Sequence, residues 1–373
     1  MRLLYVVTED WYFLLHRLPM ALAAKSAGFD VHVATRLNDG ADAIVRLGFT
    51  PHPIPFARAS VSPLSSLKTI AALRSIERRL APDIIHHVSL QTIVLGSIAA
   101  LGLPGVRVNA LTGLGDVFIS NNPTARLLRR LGSPLIRFLL SRRGSVALVE
   151  NPDDAQTLAA LGIERGRIVH IAGSGVDVER LRPAPEPPGP LGIGFAGRLI
   201  ERKGVRTVVE AHRLLRGRGS DARLLIAGTP DRDNPTATRQ EDIAAWGREP
   251  GVTLLGHVTN IAELWARAAI AVLPSHGGEG VPMALLEAAA CGRPMVATDV
   301  PGCREIVVPG KTGLLVPVND APALADAIET LARAPALRAQ YGAAARELAV
   351  ERFSADSVGR QVVDLYRSLG AGR

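Results

Sequence analysis

The fold is indicated most clearly by one stretch of sequence, Ile270-Ala-Val-Leu-Pro274-Ser-His-Gly-Gly-Glu279-Gly-Val-Pro282-Met-Ala-Leu-Leu-Glu287-Ala. Its four leading apolar residues predict a strand that is buried on both faces. The glycine-rich segment that follows predicts a loop. Pro282 then marks the start of a helix, because proline is favoured among the first residues of helices. Strand, loop and helix in this order predict one step of a parallel α/β sheet.

The same alternation of short apolar runs and longer amphipathic runs extends over the whole chain. In the first half, helix patterns such as Leu14–Ala27 separate the strand-like runs, and a second series of strand-like runs follows in the second half. We therefore expect two doubly wound α/β domains, in which ligands bind at the carboxyl ends of the strands. The predicted strands are Leu3–Val7, Val31–Ala34, Ile84–His87, Val106–Leu111 and Val146–Val149, then Leu191–Phe195, Arg223–Ala227, Val252–Leu255, Ile270–Leu273, Met295–Thr298 and Leu314–Val316.

A proline-rich segment at residues 183–190 separates the two series. Its sequence, Pro-Ala-Pro-Glu-Pro-Pro-Gly-Pro, is incompatible with a helix or a central strand. It predicts a stiff linker between a first domain at residues 1–182 and a second domain at residues 191–350.

Composition limits the class of protein. The 373 residues are 47% hydrophobic and 21% charged, as in globular proteins, and only 4% aromatic, so no nucleic-acid partner is expected. Two cysteines without a spacing motif indicate a reducing compartment. The apolar start is too short for a signal peptide because Glu9 and Asp10 follow at once. These features predict a cytoplasmic protein.

Part of the net charge of +8 is concentrated between Thr124 and Gly144, where six arginines alternate with apolar residues and no acidic residue occurs. This pattern is typical of a basic amphipathic helix that lies on an anionic membrane surface. A core helix with a solvated basic face explains it equally well. The arginines are Arg126, Arg129, Arg130, Arg137, Arg142 and Arg143.

Two cations and two carboxylates are the candidate functional residues of the second half. Arg198 and Lys203 lie between a predicted strand and a helix, where cations and a helix N-terminus suit a diphosphate. Glu279 lies in the glycine-rich loop and Glu287 on the helix after it, and such carboxylates bind sugar hydroxyls. The alternative is that the two cations are surface charges on a solvated loop and that the two carboxylates pair with arginines.

Two further patterns carry less weight. The glycines from Gly192 to Gly197 match a dinucleotide fingerprint by spelling, but the first two lie within a predicted strand rather than after it. The carboxylates of Asp231 and Asp233 have no further ligands in sequence, so a divalent ion is not expected there.

Taken together, these motifs resemble the family-four retaining glycosyltransferases of the GT-B fold. The resemblance rests on Gly197-Arg-Leu, Lys203-Gly, the two glutamates eight residues apart, Gly292-Arg-Pro-Met-Val-Ala-Thr-Asp-Val-Pro-Gly302 and Gly310-Lys-Thr-Gly313. The first half is similar to members that act on lipid-linked sugars, through Phe13-Leu-Leu-His16-Arg-Leu-Pro19, Pro82-Asp-Ile-Ile-His86, Thr112-Gly-Leu-Gly115 and Gly173-Ser-Gly-Val-Asp177.

The resemblance implies a metal-independent hexosyltransferase without a cofactor, which uses a nucleotide-diphosphate sugar, UDP-linked by preference. Its acceptor would be a lipid-linked or free saccharide, bound by the first domain, and a helix within residues 351–373 would cross back to that domain. Glu279, Arg198 and Lys203 would be catalytic. Donor contacts would come from these three and from Val258, Gly280, Val281, Met283 and Glu287. Acceptor contacts would come from His16, Thr112, Gly113 and Asp116.

Two other functions remain open at this stage. A nucleotide-sugar epimerase of the same fold would convert the nucleotide sugar without any acceptor, and a phosphorylase of this fold would carry pyridoxal phosphate on a lysine. A non-catalytic subunit would bind the nucleotide sugar without transferring it.

Overall fold

The computed structural model describes residues 1–56, 62–113, 123–231 and 233–370. Contacts between residues divide the chain into two compact units. Unit 1 comprises Met1–Gly175, Gly278–Gly280 and Ala355–Arg373. Unit 2 comprises Val176–Gly277 and Val281–Ser354, and therefore includes the proline-rich segment at 183–190.

Within its described residues, unit 1 contains a seven-stranded parallel sheet in the order β3-β2-β1-β4-β5-β6-β7. The inner strands are buried on both faces, which explains their continuous apolar runs. The strands are β1 (Arg2–Glu9), β2 (Asp30–Arg36), β3 (Thr50–Pro53), β4 (Ile84–Val88), β5 (Val106–Leu111), β6 (Ser145–Val149) and β7 (Ile168–His170). The helices between them are α1 (Asp10–His16), α2 (Leu18–Ser26), α3 (Ala41–Arg46), α4 (Pro63–Leu80), α5 (Leu90–Ala99), α6 (Pro123–Leu140) and α7 (Pro152–Ala160).

Unit 2 contains a six-stranded parallel sheet, again counted over its described residues, in the order β10-β9-β8-β11-β12-β13. The strands are β8 (Gly192–Ala196), β9 (Arg223–Ala227), β10 (Val252–Gly256), β11 (Ile270–Leu273), β12 (Met295–Thr298) and β13 (Gly313–Val316). The helices are α8 (Val205–Gly217), α9 (Gln240–Trp246), α10 (Ile261–Arg267), α11 (Met283–Ala290), α12 (Pro301–Arg304), α13 (Ala321–Ala332) and α14 (Pro335–Arg352).

A last helix, α15 (Ala355–Gly370), packs against α2 in unit 1. Its Tyr366 is fully buried, and its hydroxyl lies 2.8 Å from the Tyr5 hydroxyl and 2.5 Å from Nδ1 of His86. Burial lowers the pKa of His86 well below its ordinary value, so the ring is neutral. This polar cluster fixes α15 on the two central strands β1 and β4.

Two α/β units, each with a parallel sheet, confirm the predicted fold class. Several local elements differ from the prediction. The sequence did not predict strand β3, because two of its four residues are prolines, which restrict a strand to the edge of a sheet. The single helix expected over Leu14–Ala27 is divided into α1 and α2 at Arg17. Arg17 is 1% exposed and pairs with Glu150 at 2.7 Å, so the helix breaks where the chain places this cation in the core.

The glycines of the dinucleotide-like pattern have a packing role. A Cβ at Gly192 would overlap the carbonyl oxygen of Arg267, and one at Gly194 would lie 2.8 Å from the Ala268 Cβ and 2.9 Å from the Trp265 ring. Both residues lie inside β8. They therefore allow the end of α10 to approach the strand closely. Packing thus explains the match to the dinucleotide fingerprint, and no bound dinucleotide is needed to explain it.

Candidate active site

The loop after β8 carries Arg198 and Lys203 at the carboxyl edge of the unit 2 sheet. Its backbone is held by the loop after β9, because the Leu199 N–H donates to Thr229 O at 2.9 Å and the Glu201 N–H donates to Thr236 O at 2.9 Å. Lys203 closes a short 3-10 turn, and its Cδ lies 3.7 Å from the position that a Gly197 Cβ would take. The Lys203 side chain therefore lies beside the end of β8, as the sequence predicts.

The loops after β8 and β11 are joined through backbone contacts. The carbonyl oxygen of Arg202 accepts hydrogen bonds from the His276 N–H at 2.8 Å and from the Ser275 hydroxyl at 3.2 Å. Gly204 has a φ of 71°, and a Cβ there would overlap the Pro274 carbonyl oxygen. Glycine is therefore required at this position for its conformation and for space.

Arg198 is half of an ion pair that the sequence did not predict. Its Nη1 lies 2.7 Å from Oδ2 of Asp231, whose side chain is 8% exposed, whereas the Arg198 side chain is 44% exposed. The guanidinium is thus held from the protein side and still faces solvent. The first carboxylate of the Asp231–Asp233 pattern orients this cation, and the described residues include no cluster of three His, Cys, Asp or Glu side chains placed to hold a metal.

Helix α11 carries two of the residues that the sequence predicts to contact the donor. Pro282 is its N-cap residue, Val281 is buried just before it, and Met283 is its first residue. Met283 and Glu287 are four residues apart and so share one face of the helix.

The Glu287 carboxyl group is half-buried and makes no hydrogen bond or ion pair with any described residue. Burial raises its pKa to about 7, and the positive charge of Arg180 opposes this rise. A carboxylate with such a pKa gains most from a partner that donates hydrogen bonds to its charged form.

A cavity of about 420 Å³ lies at the carboxyl ends of β9 and β10 in unit 2. Val258 is half-buried two residues beyond β10, next to this region. The Gly228 N–H donates to Gly256 O at 2.7 Å and closes the loops around the cavity. Its lining comes from Leu199, Gly228, Thr229, Pro230, Gln240, Ile243, Leu254 and Gly256.

The segment Gly278–Gly280, which includes Glu279, groups with unit 1. The Gly280 N–H donates to Thr112 O at 3.0 Å, just beyond β5. A Cβ at Gly113, whose φ is 98°, would overlap the Gly278 carbonyl oxygen. The structure thus brings Thr112 and Gly113 together with Glu279 and Gly280.

Two further residues, His16 and Asp116, are predicted to contact the acceptor. His16 ends α1, and its ring packs on Tyr12 with centroids 4.3 Å apart. Asp116 lies outside the described residues. The buried pair Arg17–Glu150 was not predicted, and a Cβ at Gly280 would overlap Oε2 of Glu150. Its only sequence signal is a charge at the end of an apolar run.

Both halves of the chain match known protein families. A family model described as "Glycosyl transferases group 1" matches residues 190–334, and one described as "Glycosyl transferase 4-like" matches residues 2–150. Together they account for most of the chain. This protein belongs to the family-four glycosyltransferases of the GT-B fold. The resemblance inferred from the motifs is therefore confirmed.

Individual relatives of this glycosyltransferase differ in sequence identity and in the length of chain that they match. The putative glycosyltransferase EpsD of Bacillus subtilis is 28% identical over 389 residues, which cover 98% of this chain and 96% of the relative. A Campylobacter jejuni enzyme named N,N'-diacetylbacillosaminyl-diphospho-undecaprenol alpha-1,3-N-acetylgalactosaminyltransferase is 25% identical over 94% of both chains. An exopolysaccharide phosphotransferase of Streptomyces coelicolor is 43% identical over 143 residues, and that match spans 38% of this chain and only 15% of the relative's length.

Solved structures support the fold of the glycosyltransferase. A sucrose-phosphate synthase from Thermosynechococcus elongatus superposes with a TM-score of 0.82 at 22% identity, over 100% of both chains. Alr3699/HepE of Anabaena, solved in complex with UDP-glucose, has a TM-score of 0.79 at 18% identity, over 99% of this chain and 100% of that one. At these identities the likeness concerns the fold alone.

The raised pKa of Glu287 predicts a pH-dependent effect on stability. Because the pKa is about 7 in the folded chain and ordinarily 4.5, ionisation opposes folding, and the cost appears as pH rises from about 4.5 to 7. Glu287→Gln should therefore raise the free energy of unfolding by about 1–3 kcal/mol at pH 8 and by much less at pH 5. Urea denaturation at both pH values measures this difference.

Glu347→Gln is the matched control for this prediction, since Glu347 is an exposed glutamate on α14. It should change the free energy of unfolding little at either pH. An equal effect of Glu287→Gln at pH 5 and pH 8 would contradict a raised pKa.

Proposed function

We propose that this glycosyltransferase moves a hexose from a nucleotide-diphosphate sugar, with UDP as the preferred nucleotide, to a saccharide acceptor carried on a lipid, and that the anomeric configuration is retained. The observation that carries the donor part of the proposal is the pair Arg198 and Lys203 beside the end of β8, in a loop fixed by backbone hydrogen bonds. The names of relatives support the substrate classes, since one structure contains UDP-glucose and one relative is named for a diphospho-undecaprenol substrate.

The mechanism follows from where negative charge develops. When the bond between the sugar and the diphosphate breaks, charge accumulates on the departing diphosphate. Arg198 and Lys203 supply positive charge there without reorganisation, which is electrostatic preorganisation. Their contribution grows toward the transition state, so they act on kcat as well as on donor affinity.

The carboxylates have separate parts in this proposal. Glu287 accepts hydrogen bonds from the ribose hydroxyls, which change little during the reaction. Glu279 holds hydroxyls of the sugar that is transferred, assisted by the backbone near Gly280, Val281 and Met283. Val258 lies near the base. Neither a metal ion nor another cofactor takes part in this scheme.

Substitution of the two cations tests the donor site. Arg198→Ala and Lys203→Ala should each lower kcat/KM for the donor roughly ten- to a hundredfold, because each removes charge-assisted hydrogen bonds worth about 1.5–3 kcal/mol. Arg248→Ala, at an exposed arginine after α9, is the control and should leave the kinetics unchanged. Steady-state kinetics with UDP-sugars measures the effect, and circular dichroism checks folding.

Asp231→Asn sharpens this test. It removes the carboxylate that orients Arg198 but keeps the guanidinium, so donor turnover should fall less than in Arg198→Ala. Equal losses in both variants would show that Arg198 acts only when Asp231 holds it. Normal turnover in folded Arg198→Ala and Lys203→Ala would refute the donor site.

Metal independence has a direct test. Since fixed cations replace a divalent ion at the diphosphate, transfer should retain most of its rate after exhaustive chelation with EDTA. The measurement is the initial rate of sugar transfer before and after chelation, with added magnesium or manganese as the control. Complete loss that either metal restores would contradict the scheme.

We also propose that α6 holds the protein at the cytoplasmic face of an anionic membrane. The helix buries Ile136, Leu139 and Leu140 in the core but leaves Leu127, Leu135 and Phe138 between 42% and 57% exposed. A groove of about 820 Å³ beside it is lined by Arg130, Arg137, Arg142 and Arg167, among other residues. No helix in the described ranges has the length and apolarity needed to cross a bilayer.

Vesicle binding tests this membrane contact. The protein should sediment with vesicles of anionic phospholipid and not with phosphatidylcholine alone, because each arginine near such a surface contributes about 1 kcal/mol. Phe138→Asp should weaken binding, and Leu214→Asp, at a similarly exposed leucine of unit 2, should not. Equal and negligible binding to both vesicle types would leave α6 as a core helix with a solvated face.

A further inference from the structure

One tryptophan of the chain is placed unlike the other two. Trp246 and Trp265 are 2% and 1% exposed in unit 2, whereas Trp11 in unit 1 is 38% exposed, and all three lie in described parts of the chain. Aromatic residues make up only 4% of the sequence. A partly exposed indole ring is a candidate ligand contact where further aromatic rings adjoin it.

Trp11 is the first of three rings that follow one another along α1. Its ring centroid lies 5.7 Å from that of Tyr12 with an interplanar angle of 70°, and Tyr12 lies 4.3 Å from the ring of His16. Leu15, one turn after Trp11, is 49% exposed. The outer surface of α1 thus presents a continuous aromatic strip, Trp11–Tyr12–His16.

The strip lies where an open α/β sheet binds ligands. Helix α1 begins directly after β1, and the chain leaves β1 toward β2 but leaves β4 toward β5. The boundary between β1 and β4 is therefore the point where the winding direction reverses, and ligand crevices form outside the carboxyl ends there. Across this boundary, Ser89 follows β4 with a φ of 87°, a strained conformation of a kind that concentrates at ligand sites.

The start of α1 is held rigidly. Asp10 is 1% exposed, and its carboxylate accepts hydrogen bonds from the backbone N–H groups of Trp11 at 2.7 Å and Gly40 at 3.0 Å. It also accepts from the backbone N–H of Asn38 in the loop after β2. Because the backbone that carries Trp11 is held in place, less conformational entropy is lost when a ligand binds there.

The charges around the strip decide between two possible occupants. An exposed tryptophan also suits a membrane interface. However, α1 carries no exposed lysine or arginine, and Glu9 and Asp10 stand at its start. Both carboxylates are buried, and Glu9 pairs with Arg36. The helix itself therefore presents no cation to anionic headgroups, and the basic helix α6 fits such a surface instead. A neutral pyranose fits, because its C–H face packs on an aromatic ring while its hydroxyls reach polar groups.

We propose that Trp11 and Tyr12 form an aromatic platform that binds a pyranose ring of the saccharide acceptor. The inference rests on the proposed function and names the residues that recognise the acceptor. Trp11 contributes binding of the acceptor and does not act on the donor. Its loss therefore affects KM for the acceptor, while cleavage of the nucleotide sugar in the absence of an acceptor continues.

Intrinsic fluorescence gives a direct readout, since the other two tryptophans are buried in unit 2. Methyl glycosides of glucose, galactose, mannose and N-acetylglucosamine are titrated into the full chain. At least one should change the emission saturably, and Trp11→Phe should abolish the change. A response that persists in Trp11→Phe, or no response to any of these glycosides, would overturn the proposal.

Kinetics then separates the platform from the donor site. With the methyl glycoside that binds, Trp11→Ala should raise KM for the acceptor roughly tenfold, with the donor KM and the rate of donor hydrolysis unchanged. Trp11→Tyr should restore most of the affinity. Leu15→Ala, one turn along the same helix and similarly exposed, is the control and should match the wild type.

The outcomes distinguish this inference from the proposed function. A protein that neither binds nor hydrolyses any nucleotide sugar would defeat the proposed function, whatever Trp11 does. Normal donor hydrolysis with an unchanged acceptor KM in Trp11→Ala would defeat the platform alone. A shift of Trp11 emission with phospholipid vesicles but with none of the glycosides would assign the strip to a membrane and overturn the platform.

Discussion

The candidate donor site depends on a close approach between two backbone segments in unit 2, the loop after β8 and the loop after β11. Gly204 lies against the Pro274 carbonyl, where no side chain fits, and the Arg202 carbonyl accepts from the loop after β11. This contact fixes the loop of Arg198 and Lys203 against the glycine-rich loop that leads to α11. A larger residue at position 204 would separate the two loops. Backbone packing therefore places the loop that carries the cations, and Asp231 then orients Arg198 within it.

The sheets could be predicted from sequence because their inner strands are buried on both faces and therefore appear as unbroken apolar runs. The edge strand β3, with two prolines among four residues, gives no such signal. The break between α1 and α2 was also missed, because the apolar periodicity continues through it. What interrupts the helix is the burial of Arg17 against Glu150, 133 residues later in the chain, and no local pattern reveals that pairing.

Among the site residues, too, some features could be predicted from the sequence and others could not. The sequence indicated Arg198 and Lys203 because a strand must end and a helix must begin around them, which places both at the ligand edge. It did not indicate that Asp231 orients Arg198 or that burial raises the pKa of Glu287, since both depend on residues that come together only in the folded unit. The sequence likewise did not indicate that Trp11 binds a ligand. That inference needs the exposure of its ring and its place beside the reversal of winding at β1, and both appear only in the fold.

The contact between Tyr5 and Tyr366 has a consequence for how the chain is made. The two hydroxyls lie 2.8 Å apart inside unit 1, although the residues are 361 positions apart in sequence. At about 5–20 residues per second, a ribosome needs roughly 20–70 s to proceed from one to the other. During that interval the apolar surface of β1 and α2 that α15 later covers stays in contact with water, and the nascent chain is open to chaperones for as long.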